Sequence, residues 1–148
     1  VGPASYADRA DTPDLAFDDN KPKIVPLRAA EGWHIAHEDP DPRGQSMITL
    51  DGEIAARVVD VWVDRSEYIL RYVEAEVPGG RHVLVPIFLC TFEDDGTAHV
   101  AAVTAAQFAA APGIAQPNQI SLLEEDRIAG YFGGGHLYAT PERSEPCL

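Results

Sequence analysis

The sequence predicts a mainly β protein with some helix (α+β): a small antiparallel β-barrel or sandwich with an extended N-terminal arm and one C-terminal helix. Two observations support this fold class. Short runs rich in valine, isoleucine and aromatic residues alternate with polar turns through the middle of the chain, and one later segment combines helical spacing with capping signals. The chain has 148 residues, of which 45% are hydrophobic and 24% charged, so it can build one domain with a real core.

The first part of the chain predicts an arm rather than a domain. Residues 1–23 are rich in Pro, Asp and Ala and lack periodicity, so we expect an extended arm that lies on another part of the protein or is partly free. Short strands are expected at 23–27 and 33–36, and the Pro, Asp and Gly content of 38–44 predicts a turn. Residues 1–44 are therefore expected to form the arm and short strands.

Residues 45–110 are expected to form the barrel core. Tight turns with the sequences DGE, RSE, PGGR and EDDGT separate short apolar runs, a pattern typical of an antiparallel meander. The expected strands lie at 46–50, 54–64, 68–77, 82–92 and 98–108.

Residues 111–139 are expected to form a loop and the C-terminal helix, packed on the barrel. Ser121 is a candidate N-cap, and Glu124 three residues later completes a capping box. The glycines at 133–135 should end the helix, and 140–148 are expected to be a flexible tail.

The charge of the chain argues against direct binding to nucleic acids. The formal net charge is -13, with 24 acidic and 11 basic side chains, so the surface repels nucleic-acid phosphates and anionic lipids. Such a surface suits a protein that attracts cations or protons, or one that docks on a basic partner. No run approaches the roughly 20 apolar residues of a membrane span, no signal peptide opens the chain, and the start without Met suggests excision from a longer protein.

The two cysteines are expected to be free thiols in a reducing compartment. Cys90 lies in an apolar run and Cys147 lies next to the C-terminus, so a bond between them would tie a tail to a strand interior.

Charged residues inside the two central strands raise the main functional question. Asp60 shares a strand face with Trp62, and the simplest interpretation is that Asp60, Glu74 and Glu76 point at water. Arg71 is harder to place, because it interrupts an otherwise apolar face and a buried guanidinium needs an anion.

Asp64 and Glu67, at the turn of the same hairpin, are the nearest candidate anions for Arg71. The three residues predict an acid–base–acid cluster at one rim of the barrel. Closely spaced carboxylates titrate together, so the cluster is either a structural ion network or a proton path, and the residues alone leave both open.

Other candidate sites are weaker. The acidic strings at 18–21 and 38–44 lack the spacing of a calcium loop and are expected to be solvated. His34 and His37 would face opposite sides of a strand, so no metal site is predicted. No Ser–His–Asp order, HExxH or CxxC motif is present, and nothing specifies an enzyme.

Five stretches, in order along almost the whole chain, are distinctive: VGPASYADRA, PKIVPLRAA, DVWVDRSEYILRYVE, FLCTF and ISLLEEDRIAGYFGGGHLYATPER. Together they resemble the cytoplasmic domain of the H subunit of purple-bacterial photosynthetic reaction centres. That family's fold is a PRC-barrel, a small antiparallel β-barrel followed by a helix, which agrees with the fold predicted above.

The resemblance implies a non-enzymatic subunit on the cytoplasmic face of the bacterial inner (chromatophore) membrane. An upstream transmembrane helix, absent from this chain, would anchor the domain over the L and M subunits. Those subunits would carry the bacteriochlorophyll, bacteriopheophytin, quinones and non-haem iron, and this domain would bind no cofactor directly. It would stabilise the L/M core, shield the secondary quinone and relay protons to it.

Motif by motif, the resemblance assigns the proton relay to Asp64, Glu67, Arg71 and Glu125. Some family members carry a surface histidine pair where this chain has Phe17, Asp18, Asp19 and Asn20. Asp18 and Asp19 could collect protons there, but metal binding is not expected.

Two other function classes remain. A free-standing PRC-barrel adaptor, as in ribosome-maturation proteins, would bind a protein partner, although the negative charge argues against RNA contact. A ligand-binding or enzymatic barrel would need a convergent polar pocket, and no such spacing is recognisable.

Overall fold

The computed structural model describes residues 9–35 and 41–134. Seven strands form one sheet in this part of the chain: β1 (Ile24–Pro26), β2 (Ser46–Thr49), β3 (Ile54–Asp64), β4 (Ile69–Glu76), β5 (His82–Pro86), β6 (Cys90–Phe92) and β7 (Thr97–Val100). Two helices follow, α1 (Ala105–Ala109) and α2 (Leu122–Phe132), and short 3₁₀ turns lie at Leu27–Ala29 and Ile87–Leu89.

The sheet is curled and mostly antiparallel, with the order β5-β4-β3-β2-β7-β6. The eleven-residue strand β3 is its centre: β4 pairs with one edge, while β2 and β1 share the other. This half-barrel with a helix near its end confirms the predicted mainly β, PRC-type fold. One pairing differs from a pure meander, because β7 returns to run parallel with β2.

The core has two parts, one on each face of β3. Trp62 and Val58 belong to the main cluster, which fills the curled sheet and is closed by both helices. Val61 and Val63 belong to a second cluster beneath β1 and the 3₁₀ turn that follows it. The second half of β3 is therefore buried on both faces.

Helix α2 begins and ends as the sequence predicts. The Ser121 hydroxyl accepts from the Glu124 N–H at 3.0 Å, and the Glu124 carboxylate accepts from the Ser121 N–H at 2.9 Å. At the other end, a side chain on Gly133 would come within 2.9 Å of the Ala129 carbonyl oxygen, so only glycine fits there.

The N-terminal arm lies on the start of α2. The carbonyls of Thr12 and Ala10 accept from the N–H groups of Leu122 and Leu123, each at 3.0 Å. First-turn N–H groups have no partner inside their own helix, so the arm satisfies donors that a helix start leaves open. Ala10 and Thr12 therefore lie on the first turn of α2, while the arm as a unit stays a prediction.

Three predicted strands were wrong. Residues 33–35 are not a strand, and Ala36 lies outside the described residues. The run 82–92 breaks at Pro86, which has no N–H for a strand ladder and starts a 3₁₀ turn. The run 98–108 is strand only to Val100; Thr104 and Gln107 then form a capping box that starts α1.

Several expectations fall outside the described residues. They concern residues 1–8, His37, part of the turn at 38–44, Cys147 and the flexible tail at 140–148. The proposed limits of the arm, the barrel core and the helical segment stay predictions.

Candidate functional site

The turn between β3 and β4 is built around the buried side chain of Asp64. One carboxylate oxygen, Oδ1, accepts from the backbone N–H groups of Ser66 and Glu67 at 2.9 and 3.0 Å. An aspartate that bonds the backbone two and three residues ahead is a common way to fix a turn. Tyr68 closes the turn with a φ of 59°, and its N–H donates to the Asp64 carbonyl.

Arg71 lies over this turn and contacts both carboxylates. Its Nε and Nη2 donate to Asp64 Oδ2 at 3.2 and 3.0 Å, and Nη2 donates to Glu67 Oε2 at 2.8 Å. The contacts are those predicted from the sequence, and we call these three residues the rim cluster. Arg71 was expected to be buried, but 38% of its side chain is exposed, whereas Asp64 has no exposed side-chain surface.

Lys23 connects the rim cluster to the N-terminal arm. Its Nζ lies 3.1 Å from Asp14 Oδ2 and 3.9 Å from Asp64 Oδ2. Lys23 directly precedes β1, whose Ile24 pairs with Asp64 across the sheet. The strand pairing therefore delivers a second cation to the buried carboxylate.

The electrostatic setting keeps Asp64 ionised. Burial raises its pKa, but the Glu67 N–H, the Arg71 guanidinium, the Ser66 N–H and the Lys23 charge together hold that pKa below its usual range. A carboxylate with so many donors is a poor proton carrier at neutral pH. It is well suited to fixing the position of Arg71.

Glu125 has the opposite setting. It lies in the first turn of α2, and the Tyr72 hydroxyl donates to its Oε1 at 2.8 Å. Burial raises the pKa of Glu125 above its usual range, although the Tyr72 hydrogen bond and the nearby Arg71 charge act against this rise. Burial and the Glu125 charge also raise the pKa of Tyr72.

The structure thus places all four predicted relay residues in one region. Arg71 bonds both carboxylates of the rim cluster, and its charge also acts on the pKa of Glu125. Glu67 is the exposed carboxylate of the rim cluster, Asp64 and Arg71 form an ion pair beside it, and Glu125 is the carboxyl group with the raised pKa. Their role as a proton relay stays a prediction.

The two aspartates of the arm differ from each other. Asp19 accepts from Arg65 Nη1 at 2.7 Å and Nη2 at 3.2 Å, and mainly for this reason its pKa falls to about 2. A carboxylate with that pKa holds almost no protons at neutral pH. Asp18 is also exposed, and its part in collecting protons stays a prediction.

A second pair of carboxylates was not recognised from the sequence. Asp60 and Glu74 are cross-strand partners and both are buried, so the expectation that they point at water was wrong. The Arg28 Nη1 donates to Asp60 Oδ2 at 3.1 Å and to Glu74 Oε1 at 2.8 Å. We call Asp60 and Glu74 the buried carboxylate pair. Glu76, the third residue expected in water, is half-buried.

Glu74 is fully hydrogen-bonded. Its Oε1 also accepts from Trp62 Nε1 at 2.8 Å, and its Oε2 lies 2.6 Å from Nδ1 of His82. Burial raises the pKa of Glu74, but the bonds from Arg28, Trp62 and His82 outweigh it and hold the pKa below its usual value. One signal was available in the sequence: Asp60 shares a face with Trp62, a residue that belongs in a core.

An apolar surface borders the rim cluster. Trp33 stacks on Tyr68 with ring centroids 5.2 Å apart, and Tyr68, Ile69 and Leu70 are exposed beside them. With Ile35 and Leu27 they line a small groove of about 210 Å³. We call Trp33, Tyr68, Ile69 and Leu70 the apolar patch.

Few residues in the described ranges could bind a metal ion or take part in redox chemistry. No three His, Cys, Asp or Glu side chains come together there in a way that could hold a metal ion. Cys90 is a free thiol whose pKa burial raises to about 12, so it is not a reactive thiolate. No helix among residues 9–35 and 41–134 has the length and hydropathy of a membrane span.

A comparison with known families agrees with this architecture. Residues 34–100 match the sequence profile of the PRC-barrel domain. The match runs from the approach to β2 through the end of β7, so it includes the rim cluster and the buried carboxylate pair.

Proposed function

We propose that this PRC-barrel chain is the cytoplasmic domain of a reaction-centre H subunit, which caps the L and M subunits and relays protons to the secondary quinone. The observation that carries the proposal is the pairing of an ionised rim cluster with Glu125, a carboxyl group of raised pKa. A relay needs groups whose pKa lies closer to neutral pH than the pKa of a solvated carboxylate. A small β-barrel module of this kind is in general non-catalytic.

Each relay residue has a distinct part in this proposal. Glu67, with 57% of its side chain exposed, exchanges protons with water. Asp64 and Arg71 stay charged and set the local field. Glu125 takes the proton and passes it toward the partner subunits, with Asp18 as an exposed acidic group of the arm.

The apolar patch supports a docking role. Trp33, Tyr68, Ile69 and Leu70 present aromatic and aliphatic surface directly beside the rim cluster. Apolar surface that is exposed in this way is typical of an interface that a partner covers. A partner seated there would lie directly beside the rim cluster, whose exposed Glu67 could still exchange protons with water.

The test uses reaction centres assembled with this domain. Replacing Glu67 with Gln keeps the shape but removes a group that can carry the proton, so proton uptake after a second flash should slow. Glu93→Gln, an exposed residue between β6 and β7, is the matched control and should leave uptake unchanged. An unchanged rate in Glu67→Gln would remove this residue from the relay.

A second candidate is a free-standing PRC-barrel adaptor that binds a protein partner. The family match and the apolar patch favour it equally, because neither requires a quinone. The two proposals separate in one binding experiment: an H subunit associates with purified L/M complexes, whereas an adaptor does not. In the first case, Leu70→Lys in the apolar patch should weaken that association.

A further inference from the structure

A groove of about 710 Å³ opens beside the buried carboxylate pair, on the side of the molecule formed by β5 and the loop before α2. Leu84 and Ile114 give it an apolar lining, and Arg28, Arg81 and His82 bring basic groups to it. Glu74 also lines the groove, but in a chain with a net charge of -13 a lining with two arginines, a histidine and one carboxylate differs from the surrounding charge.

Arg81 holds the loop and still has donors to spare. Its Nη1 donates to the Ala109 carbonyl at 2.6 Å, and its Nη2 donates to the Ala111 carbonyl. A guanidinium has five N–H donors, so three remain, including the Nε–H, without an acceptor among the described residues. The Nε2 of His82 has no partner in that part of the chain, since Nδ1 makes the bond to Glu74, and it becomes a further donor when the ring is protonated.

The acidic groups near the groove are already occupied. Both oxygens of Glu74 are hydrogen-bonded, by Trp62 and Arg28 on one side and by His82 on the other. Asp60 accepts from both the backbone N–H and the Nη1 of Arg28. The carboxylates of the groove are thus paired, and the unused N–H groups of Arg81 lie beside an apolar lining.

We propose that this groove binds a small amphipathic anion, a carboxylate or phosphate group attached to a short apolar body. The charged head bonds Arg81, and also His82 in its protonated form, as guanidinium groups suit planar oxyanions, and the body packs on Leu84 and Ile114. Arg28 takes a positioning part, because its bonds to the Pro117 carbonyl and to Asn118 Oδ1 hold the loop that forms one wall. This site lies beyond the proton relay and does not depend on it.

The test is a titration of the 148-residue chain followed by NMR of the Arg81 Nε–H and of the Leu84 and Ile114 methyl groups. The probes are hexanoate, phenyl phosphate, inorganic phosphate and, as the charge-reversed control, hexylammonium. We expect saturable shifts with hexanoate and phenyl phosphate, weaker shifts with inorganic phosphate, and none with hexylammonium. The ratio of hexanoate to phenyl phosphate affinity distinguishes a carboxylate from a phosphate ligand.

Two pairs of variants connect these shifts to the groove. Ile114→Asp and Ile114→Asn have the same size, so the charge alone should make hexanoate bind about tenfold more weakly to the Asp variant. Arg81→Gln should also weaken binding about tenfold, and Arg127→Gln, an exposed arginine on α2 outside the groove, should not. Equal binding of hexylammonium, no saturable shift with either anion, or equal hexanoate affinities of the two Ile114 variants would overturn the proposal.

Discussion

The hydrogen bond between Tyr72 and Glu125 gives the most quantitative prediction. The Tyr72 hydroxyl donates to Glu125 Oε1 at 2.8 Å and is one of the influences that lower the pKa of that carboxyl. Tyr72→Phe removes the donor and keeps the ring. The pKa of Glu125 should therefore rise further above its usual range.

The size of this rise follows from the strength of the bond. A hydrogen bond to a charged group contributes about 1.5–3 kcal/mol, and one pKa unit corresponds to about 1.4 kcal/mol. The protonated carboxyl keeps part of the bond, so we expect an increase of about one unit. A carboxyl whose pKa is raised by folding stabilises the fold at pH values below its usual pKa. That contribution is lost as the pH rises through the pKa of the folded protein. The loss of stability in Tyr72→Phe should thus be larger at pH 8 than at pH 4.

The assay is a pH titration of the Glu125 side-chain carboxyl carbon by NMR, with urea unfolding at both pH values. Tyr68→Phe makes the same chemical change on the exposed turn of the same hairpin and should leave the pKa of Glu125 unchanged. An unchanged or lowered pKa in Tyr72→Phe would refute the assignment of this hydrogen bond to the ionised carboxylate.

Three further changes test individual contacts by urea unfolding. Asp64→Asn should lower the free energy of unfolding by about 2 kcal/mol at pH 7. Because folding lowers the pKa of Asp64, the difference in this free energy between variant and wild type should disappear as the pH falls below about 4. Trp62→Phe removes one donor from buried Glu74 and should cost about 1–3 kcal/mol with an unchanged denaturant slope; a loss no larger than that of an exposed substitution would contradict the role of this bond. Ser121→Ala removes the cap of α2 and should cost about 1 kcal/mol, and no loss would mean that the arm alone caps the helix.

The sequence predicted those parts of the fold that local patterns determine. The β3–β4 hairpin and the capped helix α2 were recognised because alternation, turn residues and the Ser121–Glu124 box are short-range signals. The parallel return of β7 to β2 was missed, since a pairing between distant strands leaves no local mark. The strand predicted at 98–108 was wrong because a run of alanines suits a helix once Thr104 caps it.

The candidate site also has contacts that could be predicted from the sequence and contacts that could not. Arg71, Asp64 and Glu67 lie within one hairpin, so their contacts could be predicted from spacing. The buried carboxylate pair could not, because burial there depends on Arg28, which lies 32 residues before Asp60 and 46 before Glu74. An isolated carboxylate on a strand is expected in water, and only the tertiary partner changes that expectation.

The relay itself is tested most directly at Glu125. In reaction centres assembled with this domain, Glu125→Gln retains an acceptor for Tyr72 but cannot carry a proton, so proton uptake after the second flash should slow. Asp126→Asn, the neighbouring residue that pairs with Arg9, makes the same change of charge and should leave the rate unchanged. A rate in Glu125→Gln equal to that of Asp126→Asn would contradict the account.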